Sequence, residues 1–306
     1  MLNREIIYIH GRDYKPDKQK LLNNWQDALR YGIKRDFGED TLELFDSVYQ
    51  DMSYYGDTSN QFLSKHKEPY QKYHDIDDRK QSLFHLKKYK SEEFNKENYN
   101  KLRGKSFIPK FLADLISPFL YFIGLGKFIV SKSAIDMKEY WREDSDFSIK
   151  VSQPLKDMLL ASLKDDKNIL LISHSLGTMI AYDLLWEFSY LNEHTKLKEK
   201  KLNTFITLGS PLGDETAKKT LRGRDVSEES SYPNNISKWY NIAAEDDYIA
   251  HDQTISDEFK SLNNIKDIRN YNLSLRYGKS NPHHATGYLI SPELVKIVVD
   301  WLKESD

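Results

Sequence analysis

The stretch NILLISHSLGTMIAYDLL, residues 168–185, joins a short apolar run to a helical pattern through the turn SHSLG. A nucleophilic serine lies on such a tight strand-to-helix turn, and the residues two before and two after it must be small. Gly177 meets that requirement after Ser175, and Ser173 meets it before, because it adds only a hydroxymethyl group where glycine is usual. We therefore predict a nucleophile elbow centred on Ser175. The predicted elbow comprises Ser173, His174, Ser175, Leu176 and Gly177.

Apolar runs and helical patterns alternate on both sides of this turn. IIYI at 6–9 is typical of a buried strand, 21–33 has the apolar spacing of a helix, and TLELFDSVYQ at 41–50 is interpreted as the next strand. In the last predicted helix, Ser291 is the expected N-cap and Pro292 the first helical residue. This order predicts an α/β fold with a mostly parallel sheet flanked by helices. The other predicted strands are 168–173, 202–211, 238–247 and 268–275, and the other predicted helices are 151–165, 177–191 and 291–304.

Composition limits the classes of protein that this chain can represent. Its 306 residues, 39% of them apolar and 30% charged, suffice for one large α/β domain. The formal charge of -2 argues against general affinity for nucleic acid, since no net basic field would attract phosphates. The lack of cysteine excludes thiol catalysis and cysteine-ligated metals, and it fits a reducing compartment. The first residues, MLNREIIYIHG, resemble no secretory signal, so a cytoplasmic protein is expected.

A polar region rich in tyrosine and lysine interrupts the alternation of strands and helices. We interpret 58–135 as a mostly helical insertion into a core formed by 1–57 and 136–306. Its apolar part, FIPKFLADLISPFLYFIGLGKFIV at 107–130, contains charges, prolines and glycines, so it does not predict a membrane-spanning helix. We expect it to form a cap or lid over Ser175 with an apolar face for acyl chains, and it is a candidate for peripheral membrane contact. A helical hairpin buried against the core is the alternative.

A nucleophilic serine needs a base, and the base needs a carboxylate that orients it. The segment AEDDYIAHD follows a predicted strand and offers Asp247 as the preferred acid, with Asp246 as the alternative. The segment SNPHHATGYL precedes the last helix and offers His283 as the preferred base, with His284 as the alternative. One histidine only is expected to face the serine, because adjacent side chains cannot both point at it.

The negative charge that develops on a reacting carbonyl needs two backbone N–H donors. Leu176 follows the nucleophile at the start of a helix, so its N–H is one expected donor. The other is expected from HGRDY after the first strand, with Gly11 shaping the turn and Arg12 donating its N–H. His10 is interpreted as a structural hydrogen-bonding residue.

These motifs together resemble the α/β-hydrolase superfamily, in particular its lipase/esterase-like serine hydrolases. The resemblance rests on IHGRD, SYYGDT, SHSLGTMIAYDLL, TLGSPLG, NIAAEDDYIA and NPHHATGYL, which extend from the first strand to the last helix. It implies that Ser175, Asp247 and His283 form a catalytic triad. Two departures are evident: Ser173 replaces the common glycine, and the first two strands usual for that fold are absent before IIYI.

The resemblance implies hydrolysis of a carboxylic ester, acyl or lipid-like, through an acyl-enzyme on serine. No metal or organic cofactor is expected for this chemistry, and the expected partner is a small-molecule ester. The alternatives are an amidase or peptidase, an acyltransferase, or a membrane-associated binding module that kept the fold without turnover. The sequence leaves the oligomeric state open.

Overall fold

The strand Arg4–Ile9 (β1) lies inside a six-stranded sheet, and all its residues are buried. Ile6 and Tyr8 pack into the hydrophobic core on one face of the sheet. Ile7 and Ile9 pack into the core on the other face, because successive side chains of a strand point to opposite sides. A strand buried on both faces is typical of a parallel sheet covered by helices.

The computed structural model describes residues 3–66, 72–104, 135–142, 145–191, 197, 199–226, 230–250, 252–257, 259 and 264–304. After β1, the strands are β2 (Tyr49–Ser53), β3 (Asn168–His174), β4 (Leu202–Leu208), β5 (Ile236–Ala244), β6 (Ile265–Asn270), β7 (Leu275–Arg276) and β8 (Lys279–Ser280). The helices are α1 (Lys18–Phe37), α2 (Glu39–Ser47), α3 (Gly56–Ser64), α4 (Lys72–Leu86), α5 (Lys96–Asn100), α6 (Ile135–Tyr140), α7 (Asp146–Lys164), α8 (Leu176–Tyr190), α9 (Glu215–Lys218), α10 (Ala285–Leu289) and α11 (Pro292–Lys303). One turn of 3-10 helix covers Ser91–Glu93.

The sheet has the strand order β2-β1-β3-β4-β5-β6, and each neighbouring pair is parallel. The chain progresses in opposite directions on the two sides of β1, so the strand order reverses between β1 and β3. Ligand sites of open parallel sheets lie at the carboxyl ends of the strands at such a point. The loop after β1 carries Gly11 and the turn after β3 carries Ser175, so both lie there.

Helices cover the two faces of the sheet. Residues of α1, α2 and α11 form one core, in which Trp25 and Trp301 are almost fully buried. Residues of α7 and α8 form the other core, in which Val151 and Leu155 are fully buried. The predicted α/β class, with a parallel sheet flanked by helices, is therefore confirmed.

The region 41–50 contradicts the prediction of a strand there. Residues 39–47 form α2, and the strand β2 begins only at Tyr49. Leu42 and Phe45 are buried three residues apart, a spacing that belongs to one face of a helix. The edge strand β2 has the partly exposed sequence YQDMS, so no apolar run marks it in the sequence.

The described part of the predicted insertion 58–135 is helical. Leu83, Leu86 and Tyr99, which belong to α4 and α5, are buried in the same core as α1. The segment 107–130, predicted as a cap or lid, lies outside the described residues, and the proposed domain boundaries stay a prediction. Across the residues that the structure describes, no helix is both long enough and apolar enough to span a bilayer.

The last helix begins as predicted. Ser291 is the N-cap of α11, its side chain accepts the N–H of Leu294, and Pro292 is the first helical residue. The predicted last strand at 268–275 is only partly correct, since β6 ends at Asn270 and a short hairpin of β7 and β8 follows.

Candidate active site

Ser175 occupies the sharp turn between β3 and α8. Its backbone has φ of 55° and ψ of -126°, a left-handed conformation that non-glycine residues adopt only where their surroundings enforce it. The Ser175 N–H donates to the carbonyl of Leu208 at the end of the neighbouring strand β4, at 3.0 Å. This strained turn is the backbone expected of a nucleophile elbow.

The two small residues around Ser175 differ in how strictly they are required. A Cβ at Gly177 would lie 2.6 Å from the carbonyl oxygen of His10, closer than real Cβ contacts allow, so only glycine fits. Ser173 is fully buried, and its hydroxyl donates to the carbonyl of Ile206 at 2.7 Å. Serine is therefore accommodated where glycine is usual, because its added polar atom has a partner.

The side chains of Ser175, His283 and Asp247 form a continuous row of hydrogen bonds. Ser175 Oγ lies 3.0 Å from His283 Nε2. His283 Nδ1 lies 2.9 Å from Asp247 Oδ2 and 3.0 Å from Oδ1. A carboxylate only accepts, so Nδ1 carries the proton and Nε2 accepts the hydrogen bond of the serine hydroxyl.

Asp247 is held as a carboxylate by several donors. Its side chain is fully buried, and it accepts the Tyr288 hydroxyl at 2.5 Å and the Ile249 N–H at 3.0 Å. Burial alone would raise the pKa of Asp247, but His283, Tyr288 and the Ile249 N–H together keep the pKa below its ordinary value. The Tyr288 hydroxyl also accepts the Ala244 N–H at 2.9 Å, which ties the carboxylate to the end of β5.

The hydrogen bonds of this row are made by Asp247 and His283, which the sequence preferred over Asp246 and His284. Asp246 is exposed, has φ of 59° and accepts the hydroxyl of Tyr99 at 3.1 Å. His284 borders the cleft, but the hydrogen bonds to Ser175 and to Asp247 are made by His283. Asn272 fixes this loop, because its Nδ2 donates to the carbonyl of His284 at 3.0 Å.

Gly209, directly after β4, lies against Asp247 and His283. Its φ is 53°, and a Cβ there would lie 2.8 Å from Asp247 Oδ2 and 3.0 Å from His283 Nδ1. Because glycine has no Cβ, the Asp247 and His283 side chains can form their hydrogen bond directly against the backbone of residue 209. The motif TLGSPLG contains this residue, but its role depends on contacts with two distant loops that no local pattern shows.

His174 connects the turn at Ser175 to the loop that carries His283. Its Nε2 donates to the carbonyl of His283 at 2.9 Å, and the two rings pack with centroids 4.7 Å apart. Burial, followed by the charge of His283, lowers the pKa of His174 well below its ordinary value, so this ring is neutral. His174 therefore acts as a positioning residue for His283.

His10 has the structural surroundings expected from the sequence. Its Nδ1 donates to the carbonyl of Gly11 at 2.8 Å, and its Nε2 accepts the Tyr55 N–H at 3.2 Å. Burial, followed by the charge of Lys15, lowers the pKa of His10 well below its ordinary value. Both ring nitrogens form hydrogen bonds with backbone groups, so His10 stabilises the loop after β1.

The loop after β1 is held by side chains from two other elements. Arg12 Nη2 lies 2.6 Å from Asp136 Oδ1, and the Asp13 N–H donates to Asp136 Oδ2 at 3.2 Å. Asn60 pairs with the Lys15 backbone, accepting its N–H at 2.9 Å and donating to its carbonyl at 2.8 Å. Asp136 and Asn60 are thus positioning residues that the sequence did not reveal.

Two backbone segments border the Ser175 side chain. A Cβ at Gly11 would lie 2.7 Å from the Ser175 Cβ, so the loop after β1 passes directly against it. Leu176 begins α8, where the first N–H groups have no acceptor within the helix and carry the positive end of its dipole. The predicted donors, the N–H groups of Leu176 and Arg12, belong to these segments, and their role stays a prediction.

The resulting arrangement is a cleft at the carboxyl ends of β1 and β3 with Ser175 and His283 in its wall. It offers a hydroxyl within hydrogen-bond distance of one imidazole nitrogen and a carboxylate bonded to the other nitrogen of that ring. Within the described ranges of the chain, no group of three His, Asp or Glu side chains is arranged to hold a metal ion. Comparisons of the chain with protein-family models, curated proteins and solved structures found no match.

Proposed function

We propose that this chain is a serine hydrolase with the α/β-hydrolase fold and that it cleaves a carboxylic ester. The observation that carries the proposal is the row of hydrogen bonds from Ser175 Oγ to His283 Nε2, at 3.0 Å, and from His283 Nδ1 to Asp247 Oδ2, at 2.9 Å. The serine that begins this row has a positive φ. The reversal of strand order between β1 and β3 supports it, because that is where such sheets bind ligands. The likeness of the six motifs to lipases and esterases supports an ester as substrate.

Acylation begins when Ser175 Oγ attacks the carbonyl carbon of the ester. His283 Nε2 accepts the hydroxyl proton as the oxygen–carbon bond forms, and Asp247 stabilises the imidazolium through Nδ1–H. The carbonyl oxygen becomes negative next to the N–H groups of Leu176 and Arg12. His283 then protonates the departing alcohol oxygen as the ester bond breaks, which leaves an acyl group on Ser175.

Deacylation repeats these steps with water. His283 Nε2 accepts a proton from water, the hydroxide oxygen attacks the acyl carbon, and the bond to Ser175 Oγ breaks as Oγ regains the proton. The acid product leaves and the resting hydrogen bonds are restored. The cap or lid role of 107–130 remains part of the proposal on sequence alone.

Labelling with a fluorophosphonate probe tests the activated serine. We expect wild type to form a covalent adduct at Ser175 and Ser175→Ala to form none. Ser173→Ala is the matched control, because it removes a hydroxyl two residues away that bonds to a backbone carbonyl and not to His283. A folded wild type that is not labelled, with or without detergent or lipid, would refute the proposal.

A further inference from the structure

The cleft at Ser175 encloses little space. Its described wall leaves a cavity of about 70 Å³, and both Ser175 and His283 border that cavity. An apolar cavity of about 150 Å³ holds one benzene molecule, so a buried carbon needs about 25 Å³. The cavity next to Ser175 therefore holds about three non-hydrogen atoms.

Helix α1 forms the apolar part of this wall. Leu21 and Trp25 border the cavity, and their exposed fractions are 0% and 1%. The Trp25 ring packs edge-on against Tyr8 and His174, with centroids 6.0 and 6.3 Å away. His174 in turn bonds to the carbonyl of His283, so Trp25 is packed against the same group of rings that positions the base.

The position of α1 is fixed by its packing. This helix contacts α10 and α11. A Cβ at Gly32 would lie 2.5 Å from Val295 Cγ2, so α1 already lies as close to α11 as glycine permits. Because protein interiors are close-packed, a larger group pressed against Trp25 would have to displace several buried side chains. The cavity therefore cannot widen on this side at little cost.

A longer chain could leave the cavity on its polar side. Arg79 of α4 and Arg276 of β7 belong to the wall there, both are partly exposed, and both make contacts within the protein. An apolar chain placed against them would displace water or protein partners and return no hydrogen bond, which is unfavourable for polar groups. Neither side of the cavity thus favours a long acyl chain.

The reacting carbonyl group itself takes most of the available space. In the proposed mechanism its carbon must reach Ser175 Oγ, and its oxygen must lie at the two backbone segments that border this side chain. The carbonyl carbon and oxygen leave room for about one further atom.

We infer that the ester cleaved here is an acetyl ester, whose methyl group lies against Trp25 and whose alcohol part lies outside the cavity. The inference rests on the proposed function and names the acyl group of its substrate. It replaces the long acyl chain expected from the sequence.

A series of acyl groups on one alcohol tests the inference in wild type. The substrates are 4-nitrophenyl acetate, butyrate and octanoate, and each kcat/KM is divided by the rate constant of the same ester with hydroxide. We expect the normalised value for acetate to exceed that for butyrate by at least about tenfold, because one methylene without space costs a factor of ten or more. Octanoate should be no better a substrate than butyrate.

A pair of isomeric esters tests which side of the ester is enclosed. Hexyl acetate and methyl heptanoate have the same composition, but the small group is the acid in one and the alcohol in the other. Release of acid, followed by titration at constant pH, should be at least about tenfold faster for hexyl acetate. Faster cleavage of methyl heptanoate would place the small group on the alcohol side and overturn the inference.

Trp25→Phe tests the wall directly. Among the described residues the indole N–H of Trp25 has no hydrogen-bond partner, so the exchange removes no hydrogen bond and only enlarges the cavity. We expect the ratio of acetate to butyrate to fall about tenfold. Leu21→Ala enlarges the same cavity and should change the ratio in the same direction. Trp239→Phe is the matched control, because Trp239 is fully buried in the core on the other face of the sheet and its exchange should leave the ratio unchanged.

Failure of the inference and failure of the proposed function give different results. Labelled Ser175 with butyrate and octanoate cleaved as fast as acetate, or a ratio unchanged in folded Trp25→Phe and Leu21→Ala, would refute the acetyl ester and leave the hydrolase standing. No labelling and no hydrolysis of any ester would refute the proposed function, and the inference with it.

Discussion

Replacing Gly209 with alanine is the sharpest test of how the acid and the base are positioned. The substitution adds one methyl group and does not change the identity of Ser175, His283 or Asp247. The new Cβ would lie 2.8 Å from Asp247 Oδ2, about 0.6 Å closer than the 3.4 Å at which ordinary contacts begin. The carboxylate must therefore move, and the imidazole that it holds at 2.9 Å must follow.

Two free energies follow from this geometry. Alanine at φ of 53° loses roughly 1–2 kcal/mol of folding stability, because its Cβ approaches its own backbone. A displacement of this size in a catalytic group costs up to about a hundredfold in rate, or about 2.7 kcal/mol in the barrier. We therefore expect Gly209→Ala to fold, with kcat for ester hydrolysis lowered by roughly 10- to 100-fold.

The matched control is Gly38→Ala. Gly38 also has positive φ, at 83°, but a Cβ there meets no atom within 4 Å. Both variants should unfold at lower urea concentration than wild type, whereas only Gly209→Ala should lose kcat and react slowly with the fluorophosphonate. A Gly209→Ala protein that keeps kcat and the labelling rate within about twofold of wild type would show that this glycine does not position the acid and base.

Three further predictions concern buried carboxylates. Asp247→Asn should lower kcat by roughly 10⁴-fold with the fold intact, because an amide can hold His283 in the wrong tautomer; more than a hundredth of wild-type kcat would contradict this. Burial raises the pKa of Asp183 from 3.8 to about 6, so its contribution to stability is present below its unfolded pKa and is lost as pH rises through about 6. Between pH 4 and 7, the free energy of unfolding measured with urea should fall by about 2 kcal/mol more in wild type than in Asp183→Asn, and parallel profiles would refute the shift. Asp136→Asn should cost about 3–5 kcal/mol of unfolding free energy, because it leaves the buried Arg12 guanidinium without its carboxylate; strictly additive losses in a double-mutant cycle with Arg12→Met would contradict a coupled pair.

The sequence predicts best those elements whose burial leaves a pattern. β1 and β3 are buried on both faces, so their runs IIYI and ILLIS identify them. The edge strand β2 has one partner and partly exposed side chains, so nothing in YQDMS separates it from the helix before it. The error at 41–50 follows from that, because the apolar residues Leu42, Leu44 and Phe45, on which the predicted strand rested, belong to α2.

In the candidate site, too, the local features can be predicted from the sequence and the contacts between distant segments cannot. The predicted elbow is a local motif, because the small residues that it requires around Ser175 lie within the five consecutive residues 173–177. The choice between Asp246 and Asp247 is not local, since it depends on which side chain of a turn faces His283. Gly209 and Tyr288 act through contacts between segments far apart in the chain, which only the folded sheet brings together.

Tyr288 links the site to the local stability of the C-terminal helices. Its hydroxyl bridges Asp247 and the backbone of β5, but its backbone belongs to α10, which packs against α1 and not within the sheet. Local opening of 285–303 would withdraw this donor while all six strands stayed paired, because segments of a protein open at different free energies. Thermal inactivation would then precede the melting of the sheet, and amide exchange in α10 and α11 would report the lifetime of the assembled site.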